Sequence, residues 1–170
     1  MNFGDINKII VFGKGQNLAN FILRFRNDFE IVAIIGPKHS TESVMFESKE
    51  LTLLEFLEIN NLKAIVTPKI IDNEEVKKEV TENTLGFSFG SIGIFKEDYI
   101  KLFDGRLLNT HGARLPQDRG GGGFSWRILR NERLGYSLIH QVDTGIDNGN
   151  IVAVDEYVYP HSCRITLDYE

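Results

Sequence analysis

Strand and helix signals alternate along the whole chain, and that alternation leaves few architectures open. Lys8 to Phe12 is a short β-branched run that stops at Gly13, and Asn17 to Arg26 then spaces Leu18, Phe21, Ile22 and Phe25 along one helical face. Glu30 to Ile35 predicts a second buried strand, stopped by Gly36-Pro37, and Leu51 to Ile59 predicts a helix. A short strand over Ala64 to Val66, a charged helix over Asn73 to Val80 and a strand over Leu85 to Phe89 follow. Lys96 to Phe103 reads as an amphipathic helix, Arg106 to Asn109 as a strand and Phe124 to Arg130 as a helix; Tyr136 to Val142 and Ile151 to Tyr159 read as two longer strands. The pattern predicts an α/β fold built on an open mixed sheet, parallel early and antiparallel late.

At 170 residues the chain is read as one domain, 1–170, large enough to bury a real core and still hold a cleft. Its formal charge of −5 comes from acidic and basic residues mixed along the chain, with no basic cluster of the kind nucleic-acid binding needs. Cys163 is the single cysteine, which excludes an intrachain disulfide and a cysteine-based zinc cluster. The apolar run from Ile9 to Phe12 is too short for a signal peptide or a membrane span. These features are read as a cytoplasmic protein with neither a nucleic-acid nor a membrane partner.

In sheets of this kind ligands sit beyond the carboxyl ends of the strands, where the strand order reverses. Gly13, Gly15 and Asn17 follow the first strand and open the first helix, so their loop either cradles an anion on backbone N–H groups or simply makes a tight turn. The dinucleotide fingerprint fails, because Leu18 stands where its third glycine belongs and no acid closes the second strand.

Asn109 and His111 lie two residues apart at the end of a strand signal and so project from one face, with Thr110 on the other. Together they can offer an amide N–H and an imidazole N–H to a carbonyl oxygen developing negative charge. Asp143 and Asp147 lie in a turn between the last two strands, where Gly145 and Gly149 permit sharp bends. A carboxylate delivered there can orient His111 and accept a proton from an attacking nucleophile. An EF-hand is rejected, since Asn148 and Val154 occupy the places of its glycine and final glutamate. A plain Asx-rich hairpin turn remains the alternative. His39 and His161 are read as surface residues and His140 as packed within a strand, while Phe124 and Trp126 are read as core contacts. The run Gly120 to Gly123 admits either close approach of a ligand to backbone or a merely mobile loop.

The order Asn109-x-His111, Leu115-Pro116, Arg119-Gly120, a tryptophan-bearing helix, then Asp143 and Asp147-x-Gly149 resembles the signature of the formyltransferases that use N10-formyltetrahydrofolate. The likeness runs from about Leu85 to Val152, and Gly13-x-Gly15-x-Asn17-Leu18 is similar to the phosphate-holding turn of the glycinamide ribonucleotide branch. The resemblance implies a Rossmann-like formyltransferase core, with Asn109, His111 and Asp147 catalytic. N10-formyltetrahydrofolate is then the cosubstrate, with no metal, and Phe89, Gly90, Ser91, Leu115, Pro116 and Asp143 receive it.

Gly112-Ala113-Arg114-Leu115-Pro116 departs from the Pro-Ser-Leu-Leu-Pro that follows the histidine in the transfer RNA and ribonucleotide branches. Arg119 to Trp126 instead resembles the bacterial branch that formylates nucleotide-linked dideoxy amino sugars for surface polysaccharide. The acceptor implied is a nucleotide sugar, its pyrophosphate met by Arg114, Arg119, Lys14 or the Gly13–Asn17 loop. Glycinamide ribonucleotide as acceptor, or hydrolysis of the folate, is the alternative. Members of the sugar branch dimerise through a C-terminal segment, and here Tyr169-Glu170 closely follow the last strand signal, so the chain is read as a catalytic domain lacking that segment. A homodimer is thereby placed in doubt.

Overall fold

The computed structural model describes residues 3–70, 73–90 and 93–163. A seven-stranded sheet runs in the order β5-β2-β1-β6-β7-β8-β9. Its strands are β1 (Lys8–Phe12), β2 (Glu30–Ile35), β5 (Lys63–Val66), β6 (Thr84–Ser88), β7 (Leu107–His111), β8 (Leu134–Gln141) and β9 (Ile151–Val158). The first five of these are parallel, and β8 and β9 are antiparallel to their neighbours. The expected mixed sheet is therefore present, with its antiparallel pair at the end of the chain.

The chain starts at β1, moves outward to β2 and β5, then returns to place β6 on the other side of β1. Lys8 thus pairs with Glu30 on one edge and with Thr84 on the other. The order reverses at β1, so the carboxyl ends of β1, β6 and β7 border a crevice.

Two cores face opposite sides of the sheet. One packs α1 (Gly15–Phe25) and α2 (Leu53–Ile59) over Ile9, Val11, Ile31 and Leu108. The other packs α3 (Glu74–Glu79) and α4 (Glu97–Phe103) over Ile10, Phe12, Ile34 and Leu107. In the second, Phe12 meets the rings of Phe95, Tyr99 and Phe103 edge-on at centroid distances of 5.3–6.2 Å. Strand alternation places Leu107 in this aromatic cluster and carries Asn109 and His111 out beyond it on the same face.

The sequence reading contains no hairpin between β2 and α2, yet β3 (Ser43–Phe46) and β4 (Lys49–Thr52) form one. Helix α2 consequently starts at Leu53 rather than Leu51, because Leu51 and Thr52 belong to β4 and Thr52 closes a capping box with Glu55. The hairpin sits over the start of α1: Gln16 Oε1 accepts the Met45 N–H at 2.6 Å, and Gln16 Nε2 donates to the Met45 carbonyl at 3.1 Å.

At the amino ends of the strands, away from the crevice, Glu79 of α3 pairs with Lys63 of β5 and Lys8 of β1. The Lys63 hydrogen bond, with help from Lys8 and against the burial that opposes it, holds the Glu79 carboxyl below its ordinary value. A depressed carboxylate stabilises the fold above its unfolded value, about 4.3, and that contribution is lost as pH falls through the lower folded value. Melting temperature should therefore drop as pH falls below about 5, and Glu79→Gln should make the drop shallower. An identical acid limb in the variant would count against this pair.

Candidate active site

The carboxyl ends of β6 and β7 open into a cavity of about 580 Å3, within the usual range for small-molecule sites. Ser88, Asn109, His111 and Ala113 line one wall, and His140, Asp143 and Asp147 line another. Gly120 to Gly123 border it as well, and Ile94, Phe95, Val142 and Ile146 give it an apolar portion.

Asn109 and His111 share one face of β7, as the sequence spacing requires. The loop between β8 and β9 folds back to bring Asp147 against them, although Asp147 lies 36 positions beyond His111 in the chain. Asp147 holds this place in the left-handed backbone region, at φ 45°, where aspartate and asparagine are tolerated better than most residues. Its Oδ2 accepts the Gly120 N–H at 2.8 Å. The glycine run thus does more than provide a mobile loop, because Gly120, itself at φ 81°, turns a backbone donor onto the carboxylate.

His111 is fixed through one ring nitrogen and faces a carboxylate with the other. Nε2 lies 2.9 Å from the Asp118 carbonyl, which can only accept, so this nitrogen carries the hydrogen. Nδ1 faces Asp147 Oδ2 at 3.6 Å. The Asp118 carboxylate is in turn paired with Arg130 at 2.9 Å and Arg114 at 3.9 Å, which anchors the loop bearing that carbonyl. His111 is therefore not a free donor beside Asn109, as the sequence reading has it. Its nitrogen left for chemistry is Nδ1, and that nitrogen donates only in the imidazolium form.

A fourth polar residue completes the cluster. His140 is 2% exposed, and its Nε2 is 3.1 Å from Asn109 Nδ2 and 3.5 Å from Asp147 Oδ1. Reading it only as a packed strand residue misses this, because its place is set by the register pairing Asn109 with His140 across β7 and β8.

Matching the chain against protein families assigns residues 7–162 to the formyl transferases. The chain belongs to the formyl transferase family. Among solved structures it is similar to the sugar 3N-formyl transferase WlaRD, solved in the presence of dTDP and 5-N-formyl-THF. That match has 30% identity and a TM-score of 0.66, over 91% of this chain and 53% of that one. Glycinamide ribonucleotide transformylase 1 from Symbiobacterium toebii shares the fold at a TM-score of 0.74 and 16% identity, over 98% of this chain and 79% of that one. Methionyl-tRNA formyltransferase from Borrelia turicatae is 26% identical over 113 residues, 60% of this chain and 36% of that protein. The chain thus spans about half the length of the sugar enzyme and about a third of the Borrelia protein.

Within this formyl transferase fold the other expected site residues fall in several places. Gly90 and Asp143 line the cavity. Asp143 also fastens its own turn, its Oδ1 accepting the Gly145 N–H at 2.9 Å and its Oδ2 accepting from Asn148 at 3.3 Å. Phe89 lies behind the wall, packed on Phe21 and Phe87. Ser91 lies outside the described residues. Leu115 and Pro116 do not line the cavity: Leu115 is buried beneath the loop and Pro116 is exposed, while Gly112 and Ala113 form the wall. Arg114 and Arg119 are exposed on the stretch leading into the glycine run.

Gly13, Gly15 and Asn17 do not line the cavity. Gly13 is explained by packing, since a Cβ there would lie 2.8 Å from the Phe89 Cβ. At Gly15 a Cβ would lie 3.8 Å from the Glu42 carboxylate, which opposes an anion at that turn. Trp126, expected in the core, is 56% exposed, with the Arg130 guanidinium 6.0 Å from its ring centroid and Gly122 beside its edge. Arg127 takes the buried place on α5 (Gly123–Leu129), donating to the Gly112 carbonyl at 2.8 Å. No helix among the described residues is long and apolar enough to cross a membrane.

Proposed function

We propose that this chain is the catalytic core of an enzyme that transfers a formyl group from N10-formyltetrahydrofolate to the amine of a nucleotide-linked dideoxy amino sugar. The observation that carries the reading is the convergence of Asn109, His111 and Asp147 on one cavity within a formyl transferase fold.

The cavity suits the folate. Gly90, Ile94, Phe95, Val142 and Ile146 offer apolar surface for a flat bicycle, and the loop backbone around Asp143 offers polar groups to its edge. When bound, the folate supplies the formyl group as an activated amide. Asn109 directs an amide N–H at the formyl oxygen, and the imidazolium of His111 adds Nδ1–H. Asp147 keeps that imidazolium in place and accepts the proton released as the acceptor amine bonds to the formyl carbon. As the bond to N10 breaks, the proton goes to that nitrogen, and both products leave neutral at the reacting atoms.

A sugar nucleotide is favoured over glycinamide ribonucleotide by two features. Glu42 faces the turn at Gly15 that a ribonucleotide phosphate would need, and the likeness at 30% identity is to a sugar enzyme. Arg114 and Arg119, both exposed on the stretch leading into the glycine run, suit a pyrophosphate, and exposed Trp126 offers a face for a base. The protein, incubated with N10-formyltetrahydrofolate, should formylate dTDP- or GDP-linked 3-amino- or 4-amino-dideoxy sugars but not glycinamide ribonucleotide, as mass spectrometry of the acceptor would read. Formate released equally with and without any acceptor would replace this reading with a hydrolase.

A further inference from the structure

Asn109 can help an oxyanion only if the NH2 end of its amide, and not the oxygen, faces the cavity, and the two ends have nearly the same shape. Something must choose between them. His140 Nδ1 lies 2.8 Å from the carbonyl of Gln141, and a carbonyl can only accept, so Nδ1 carries the hydrogen. The neutral ring then presents Nε2 as a bare acceptor. That nitrogen is 3.1 Å from Asn109 Nδ2. With the amide reversed, two acceptors would confront each other in a place where the histidine is 2% exposed and water offers little relief.

We infer that His140 is a positioning residue that sets the amide of Asn109. Accepting one Nδ2 hydrogen, it leaves the second to be offered to the formyl oxygen. The chain of influence runs from the Gln141 carbonyl through the tautomer of His140 to the orientation of Asn109, and it rests on the formyl-transfer reading above. The groups facing His140 are Asn109 and His111 from β7, the two imidazole centroids lying 6.2 Å apart, and Asp147 from the β8–β9 loop at 3.5 Å. A cycle built on Asn109 separates the amide from the carboxylate.

His140→Leu should lower kcat roughly 10- to 100-fold, short of the loss expected when an oxyanion donor is removed outright, with KM for the folate moved only a few-fold. His140→Gln, whose side-chain carbonyl can accept from the same amide, should recover most of the loss. In an Asn109→Ala background His140→Leu should have no further effect, which a merely structural role would not produce. Should His140→Leu fail to fold, His140→Gln and a second substitution, His140→Met, carry the same cycle, with thermal melting as the check on folding. Losses that multiply in the double variant, or wild-type kcat in His140→Leu, overturn the inference while leaving formyl transfer intact. Unchanged turnover in Asn109→Ala overturns the transfer reading itself, and the inference with it.

Discussion

Asp147→Asn should cut turnover by roughly 10²- to 10⁴-fold while the protein folds and binds folate much as before. The substitution keeps the shape of the side chain, tolerates the left-handed backbone at φ 45°, and retains an oxygen to accept the Gly120 N–H. What it removes is charge and proton affinity. The nitrogen of His111 that faces this residue loses its carboxylate partner, and the attacking amine loses its proton acceptor. Turnover should be followed as formylated acceptor, with folate binding measured separately by fluorescence titration. A variant with near wild-type kcat would remove Asp147 from the chemistry, and Asp143, which lines the same cavity, would become the residue to test.

The second large effect is expected at a residue that touches no substrate. A Cβ at Gly149 would run into the carbonyl of Gln141, and that obstacle is backbone within the β8–β9 pairing, which cannot swing aside as a flexible side chain could. Gly149→Ala should therefore destabilise the fold by about 3 kcal/mol, the upper part of the usual range for overpacking. The same carbonyl holds His140 Nδ1, so displacement of Gln141 should also disturb the orientation of Asn109. Activity lost beyond the loss of folded protein, measured at a temperature where the variant remains folded, is the expected result. Unchanged melting and unchanged kcat together would show that the turn relaxes freely.

Much of the fold was legible because periodicity reports burial. Strands β1 and β2 have the bounds that their β-branched runs suggest, since both are buried on two faces and read as continuous apolar segments. The β3–β4 hairpin was not legible. Its tight turn places Glu47 at φ 49° and Ser48 at φ 64°, a conformation usually announced by asparagine and glycine, so no turn signal marks it. The pair Asn109 and His111 was visible from spacing on one strand, whereas His140 and the backbone contact from Gly120 depend on chain segments brought together only by the sheet and its return loop. The exposure of Trp126 has a similar cause. Helix α5 buries Arg127 instead, because that guanidinium finds the Gly112 carbonyl and the Tyr159 ring.

The central position of β1 also governs the order in which the molecule can be assembled. One edge of β1 is paired by β2 within the first 35 residues, but the other waits for Thr84–Ser88. During synthesis a strand rich in isoleucine and valine thus carries a bare hydrogen-bonding edge until β6 has emerged, a state open to pairing with other chains. Closing that edge with β6 is the step that prepares the floor on which β7 sets Asn109 and His111, so the face bearing these two residues is completed only after β6 and β7 are in place.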